Sequence, residues 1–348
     1  MKRILLSRPG RFDIGETVRP EPSPGQALVR IRCVGVCGSD MHLYRTGRIG
    51  KVEIREPFVI GHECVGEVIE VGHGADRDLI TRRVAIEPAI NCGRCRWCLS
   101  GNPNLCPEIL FLGLPPKEGT LQEYIVHPIG LLEQIPDHLS DAGAVVLEPM
   151  AVALHAINLV KIKPGQTVVI LGTGVIGTCV LLLLSLWGDL KIICVDPIED
   201  RLDRAQNLGA DQTVNGASLE EVKREIKSVL GEKGADVVFE CAGEKESFRA
   251  MCELAGPGAH LAVIGSNPMD EVVFSSGSAR RKGLTLRFVR RSSNTLGPCI
   301  RLADKGLISP NDLVTHTFSA SKVTEAFELV RSYADGVLKA VINMEEWS

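Results

Sequence analysis

The chain has no large excess of either charge: 39 lysines and arginines against 43 aspartates and glutamates leave a formal net charge of -4 over 348 residues, with both signs interspersed. Without a basic field nothing draws in nucleic acid, and binding to it is not expected. Long apolar runs are also missing. The most apolar stretch, residues 175–187, contains Gly177 and Ser185 and falls short of the roughly 20 residues that span a bilayer, so it reads as a buried helix, with no membrane partner expected. Residues 1–12 lack the apolar centre of a secretion signal, because Lys2, Arg3, Arg8 and Arg11 surround only Ile4-Leu5-Leu6; they read as a first strand. No internal repeat or low-complexity segment is present. Nor is the chain a disulfide scaffold. Four of its 12 cysteines form one tight array, while Cys33, Cys37, Cys64, Cys179, Cys194, Cys241, Cys252 and Cys299 mostly sit in apolar, strand-like or helix-like contexts, which fits a reducing, cytoplasmic compartment.

What is present is a chain long enough for two domains, with 45% hydrophobic residues to fill their cores. Up to about residue 150, short β segments are separated by Gly and Pro; in 28–33, Val29, Ile31 and Cys33 alternate with Arg30 and Arg32. From Gln166 the rhythm changes to apolar strands at 168–171, 192–195, 212–214, 237–239 and 261–264, alternating with amphipathic helices. That alternation predicts an α/β domain built on a doubly wound parallel sheet. Beyond Arg287 come a helix, a strand at 313–318, a helix with the apolar stripe Val323, Ala326, Phe327 and Val330, and a strand at 339–343 that returns the chain to the first domain. The expected boundaries are 1–152, 153–290 and 291–348.

Cys92, Cys95, Cys98 and Cys106 stand in a C-x2-C-x2-C-x7-C array, inside a lobe at 91–107. Four thiolates this close converge tetrahedrally on zinc and leave no open coordination position, so this metal is structural and the chemistry lies elsewhere.

Directly after strand 168–171 comes Gly172-Thr-Gly174-Val175-Ile176-Gly177, leading into the apolar helix. The first glycine permits the turn, the second lets the backbone approach a pyrophosphate, and the third allows helix and strand to pack closely, with the helix N-terminus facing the phosphates. Asp196 follows the next strand, where a carboxylate accepts hydrogen bonds from ribose hydroxyls and repels a 2′-phosphate, favouring NAD over NADP. Its other reading is a turn cap before Pro197. Arg201 bears on the same choice, since an arginine near the ribose tolerates a phosphate. Ile264 and Gly265, at the end of strand 261–264, complete the set of cofactor-binding candidates.

Two polar clusters mark turns in the β-rich half, Cys37-Gly-Ser39-Asp-Met-His42 and Gly61-His62-Glu63. A thiolate, an imidazole and a carboxylate are three zinc ligands that leave a fourth position for water or substrate, as a catalytic zinc requires. Glu148 is a further carboxylate, expected where the domains meet.

Taken with Gly47-Arg-Ile-Gly50, Val84-Ala-Ile-Glu-Pro88, Leu114-Pro-Pro116 and Leu147-Glu-Pro149, these motifs resemble the zinc-containing medium-chain dehydrogenases, and within them the sorbitol (polyol) dehydrogenase group, over nearly the whole chain. The resemblance implies a GroES-like catalytic domain and a Rossmann domain binding NAD, with two zinc ions per chain, one catalytic and one structural. It places Cys37, His62 and Glu63 at the catalytic zinc, and Glu148 in its inner sphere directly or through water. Classical alcohol dehydrogenases carry a cysteine in place of Glu148, so the glutamate points towards the polyol and related branches. Ser39 and His42 match proton-relay positions, although Ser39 also suits a helix cap. Tyr44, Phe111 and Arg291 are the substrate candidates; Phe111 is equally readable as a loop anchor, and Arg290 leaves the register open by one. Leu43 stands where sorbitol dehydrogenases often have tyrosine, and the four-cysteine lobe, absent from animal members, fits a microbial one. The implied reaction is reversible oxidation of a secondary alcohol of a polyol or related compound to a ketone, by a homotetramer or dimer. L-threonine 3-dehydrogenase, butanediol dehydrogenase and sugar-acid or cyclitol dehydrogenases are alternatives; from another class, so is a non-catalytic nucleotide-binding protein.

Overall fold

The alternation of Val29, Ile31 and Cys33 with Arg30 and Arg32 builds strand Gln26–Gly35, the backbone of the first unit. In the computed structural model, which describes residues 1–267 and 271–347, the chain divides into Met1–Glu148 with Leu296–Ser348, and Pro149–Thr295. These divisions fall a few residues from the expected 152/153 and 290/291.

In the first unit Gln26–Gly35 pairs antiparallel with Glu63–Val71, Tyr124–Pro128 and Lys339–Asn343 within a seven-stranded sheet. Its inward residues, among them Val29, Ile31 and Val34, pack with Ile60, Val68, Ile86, Phe327 and Ile342 into one core. The stripe Val323, Ala326 and Phe327 on helix Val323–Ser332 is buried in that core. On the other face Arg30, Arg32 and Arg83 join Glu67, Asp141 and Glu345 in a largely half-buried network of ion pairs, with Glu67 and Asp141 each shared by two arginines. The N-terminus is a hairpin rather than one strand: Lys2–Arg8 pairs with Arg11–Glu16 around Gly10, whose φ of +76° a side chain would resist.

Within the same sheet His127 is fully buried, with Nε2 2.9 Å from the carbonyl oxygen of Glu87. Burial pushes its pKa down to about 4. The unfolded chain takes up this proton near pH 6.5 and the folded chain does not, so stability should fall as pH drops from 6.5 towards 4, by about 3 kcal/mol in all. Urea unfolding at several pH values should show this component in the wild type and not in His127→Gln; identical acid dependence in both would refute the assignment.

The second unit holds a six-stranded sheet in the order Gln212–Asn215, Lys191–Asp196, Thr167–Leu171, Ala235–Glu240, Ala255–Val263, Thr285–Phe288. All its pairings are parallel. The order reverses between Thr167–Leu171 and Ala235–Glu240, the switch point at whose carboxyl edge doubly wound sheets bind ligands. Helix Val175–Leu184 carries the apolar run and buries Cys179, Val180, Leu181, Leu183 and Leu184. A second stretch, Asp141–Val160, is long and apolar enough to cross a membrane by length and composition, but 67% of that window is buried inside the protein, as in a core helix.

Candidate active site

Helix Gly38–Thr46 starts at Cys37, whose extended backbone forms the N-cap; Ser39 lies in the first turn and is not the cap residue. Asp40 closes a capping box, accepting the Cys37 N–H at 3.1 Å through Oδ2. Its Oδ1 accepts the N–H of Gly61 at 3.2 Å and lies 3.6 Å from His62 Nδ1. One buried carboxylate thus ties together the two clusters that are separate in sequence. Gly61 has φ +93°, and Val34, Leu121 and Thr120 crowd the place a β-carbon would take, so the turn that delivers His62 accepts only glycine.

The ligand atoms of Cys37, His62 and Glu63 lie within 4.8 Å of one another. Burial would lower the pKa of His62, but the charges of Asp40 and Cys37 outweigh it and hold it well above its usual value. A thiolate, an imidazole backed by a carboxylate at Nδ1, and a further carboxylate suit zinc, and Asp40 would fix the ring orientation that leaves the other nitrogen for the metal. Glu148 is not among the three converging atoms. It stands near enough to feel them: desolvation pushes it up to about 8, with His62 opposing and Glu63 and Glu87 adding to the rise.

Glu63 has a partner that motif reading missed. Lys339, 1% exposed, forms an ion pair with Glu63 Oε2 and donates to the carbonyl oxygen of Val36 at 3.1 Å. The pair passes over Gly35, where a β-carbon would sit 2.6 Å from Glu63 Oε2 and 3.3 Å from Lys339 Cε. A glycine there is a steric requirement of the site.

Phe111 is buried with its ring centroid 5.0 Å from that of His62, so it packs on the metal cluster. Ser39 and His42 follow Cys37 on its helix, both half-buried. Tyr44 does not join them. Its ring, 1% exposed, stacks on Phe12 and meets Phe327, and its hydroxyl donates to Glu328 Oε1 at 2.8 Å, so it is a core residue rather than a substrate contact. Arg291 lies in the second unit, half-buried, with φ +56°.

The sulfurs of Cys92, Cys95, Cys98 and Cys106 also converge within 4.8 Å. Backbone N–H groups point at them: Cys92 N lies 3.4 Å from Cys106 Sγ, and Cys95 N 3.4 Å from Cys92 Sγ. The backbone of Arg94 and Cys95 pushes the Cys92 thiol down to about 7, whereas desolvation and the neighbouring cysteines push Cys98 up to about 12; a bound zinc would draw all four towards the thiolate.

In the second unit the glycines behave as their motif requires. A β-carbon at Gly177 would lie 1.9 Å from the carbonyl oxygen of Gly172, and one at Gly172, itself at φ +89°, would lie 2.9 Å from Ala242 Cα. At Gly174, by contrast, the nearest atom is Arg201 Nη1 at 3.7 Å, which leaves the approach that a pyrophosphate needs. Val175 and Ile176 open the following helix, half-buried. Asp196, at the end of its strand, accepts the N–H of Thr173 at 2.8 Å through Oδ2 and that of Ile198 at 3.0 Å through Oδ1; Arg201 Nη1 is 3.7 Å from Oδ2. It therefore caps the turn and braces the glycine loop at once. Ile264 and Gly265 donate to the carbonyl oxygen of Glu240, at 2.8 and 3.0 Å.

Residues 23–137 match the alcohol dehydrogenase GroES-like domain, and residues 175–305 match the zinc-binding dehydrogenase family. The sorbitol dehydrogenase of Bacillus subtilis is 31% identical over 342 residues, covering 98% of this chain and 97% of its own. The chain belongs to the zinc-type alcohol dehydrogenases. It is thus an oxidoreductase of that family, with a GroES-like and a Rossmann unit. An L-idonate 5-dehydrogenase of Vitis vinifera is 34% identical over 333 residues, 94% of this chain and 90% of its own. The crystal structure of an alcohol dehydrogenase from E. coli with NADH superimposes with a TM-score of 0.87 at 31% identity, over 99% of both chains.

Proposed function

We propose that this dehydrogenase reversibly oxidises a secondary alcohol of a polyol or a related hydroxylated compound to the ketone, with NAD. The observation that carries the substrate class is the acidic surrounding of the metal position: Glu63 among the converging ligands and Glu148 beside them, close enough to be shifted by His62 and Glu63. Carboxyl groups there offer a hydroxyl-rich substrate extra hydrogen-bond partners. Sorbitol and L-idonate dehydrogenases among the relatives support the same class. When bound, zinc polarises the alcohol oxygen and NAD accepts the hydride. Asp40 orients His62, Lys339 holds Glu63, and Ser39 and His42 carry the released proton outward. Because oxidation releases a proton, ketone reduction gains as pH falls. NADH formation should be measured across sorbitol, xylitol, galactitol, inositols, butanediol and L-threonine, before and after chelation. Chelator-sensitive turnover of a polyol is expected; turnover of threonine or a diol alone would overturn the substrate class.

Buried Asp196 sets the cofactor preference. A 2′-phosphate brought beside this carboxylate meets like charge, so NAD should exceed NADP in kcat/KM by about a hundredfold. Asp196→Ala, which leaves Arg201, should narrow the gap. Equal use of both cofactors by the wild type would contradict the assignment. We further propose a cytoplasmic homotetramer or dimer joined at the edge strand Thr285–Phe288, where Phe288 is 64% exposed, a surface suited to edge pairing and testable by ultracentrifugation of Phe288→Glu.

A further inference from the structure

At the carboxyl edge of the parallel sheet, Glu240 ends strand Ala235–Glu240 as a fully buried carboxylate that belongs to neither metal cluster. Its Oε1 accepts the N–H groups of Ala242 at 3.0 Å and Gly243 at 2.8 Å, with Ser247 Oγ 2.7 Å away. Its Oε2 presses on Gly265, where a β-carbon would lie 2.6 Å from it, and its main-chain oxygen takes the N–H groups of Ile264 and Gly265. The two loops it joins have no room between them: a β-carbon on Gly265 would lie 2.2 Å from Gly243 N, and one on Gly243 would lie 2.7 Å from the carbonyl oxygen of Ser266. Ala242 in turn carries the contact with Gly172. One side chain therefore sets the mutual position of the loops after the strands ending at Leu171, Glu240 and Val263.

A dinucleotide lies across this edge with one half on each side of the switch point. Asp196 and the glycine loop occupy one side; the loops that Glu240 braces form the other. We propose that Glu240 is a positioning residue for the nicotinamide half of NAD, acting through the backbone of residues 242–243 and 264–265. This rests on the assignment of Asp196 to the adenosine half. The side chain serves here as an acceptor, so the neutral isostere should replace it.

Binding of NADH and of AMP to the zinc-loaded enzyme should be measured by fluorescence titration and calorimetry for the wild type, Glu240→Leu and Glu240→Gln. Glu240→Leu should weaken NADH about tenfold or more and leave AMP within about twofold, with zinc content unchanged, and Glu240→Gln should restore most of the NADH affinity. Equal weakening of both ligands, or no weakening of NADH, would overturn the proposal. If Glu240→Leu does not fold, Glu240→Asp, which keeps the charge and shortens the reach, must show the same split between the two ligands or the proposal fails. A wild type that bound NADH but not AMP would instead refute the assignment of the adenosine half.

Discussion

Replacing Cys37 by alanine should lower kcat by at least about a thousandfold while NADH still binds, because a catalytic zinc contributes several kcal/mol and each 1.36 kcal/mol is a factor of ten. Cys37 is one of three converging donors, and losing it leaves two, too few to hold a metal against the medium. Its backbone N–H still reaches Asp40, so the helix start and the turn at Gly61 should survive, and melting should change little. Cys95→Ala makes the contrast: one zinc per chain is lost from the lobe, and order there fails first. Metal content, NADH titration and turnover on the same preparations separate the two. Near-full activity in Cys37→Ala would remove the catalytic site from the place assigned to it.

Lys339→Met should destabilise the first unit by about 3–5 kcal/mol, since removing one partner of a buried pair leaves the other charge uncompensated. In a protein of this size that is roughly a 10 °C fall in melting temperature. Glu63 is 2% exposed, too buried for solvent to compensate its charge. With zinc held by Cys37, His62 and Glu63 as proposed, the metal would be its other partner, so the loss should be greater after chelation than in the zinc-loaded enzyme. Lys339→Arg, keeping the charge, should recover part of it. A Lys339→Met protein that melts with the wild type in both metal states would show that the pair holds nothing in place.

Much of the site was legible because its chemistry is encoded over short spans. The four cysteines of the lobe lie within 15 residues, so their spacing alone sets the geometry a metal sees. The glycine loop is equally local, and each of its steric demands reappears in the fold. The parallel sheet followed from the alternation of apolar strands with helices. By contrast the N-terminal residues were read as one strand because alternation does not reveal a reversal, which here turns on the single positive φ of Gly10.

Tyr44 marks the limit of reading a role from a neighbour. It follows His42 closely in sequence, yet the helical turn carries it to the opposite duty: its hydroxyl meets Glu328, 284 residues away, and its ring joins the core. Lys339 is the converse. Its partner Glu63 is 276 residues distant, and a lysine opening a terminal strand carries no local sign that it will be buried. Asp40 had a weak sign, the capping-box position three residues after Cys37, but its grip on Gly61 and His62 needs the strand order of the sheet.

The sequence by itself determined the candidate ligand types, the glycine loop and the class of fold, because these depend on spacing within one turn, one loop or one strand-helix unit. Tertiary structure alone decided which carboxylate converges with Cys37 and His62 and which cation balances it. Lys339–Asn343 enters the sheet beside Gln26–Gly35, and only that long-range pairing brings a buried ammonium onto Glu63 across the bare α-carbon of Gly35.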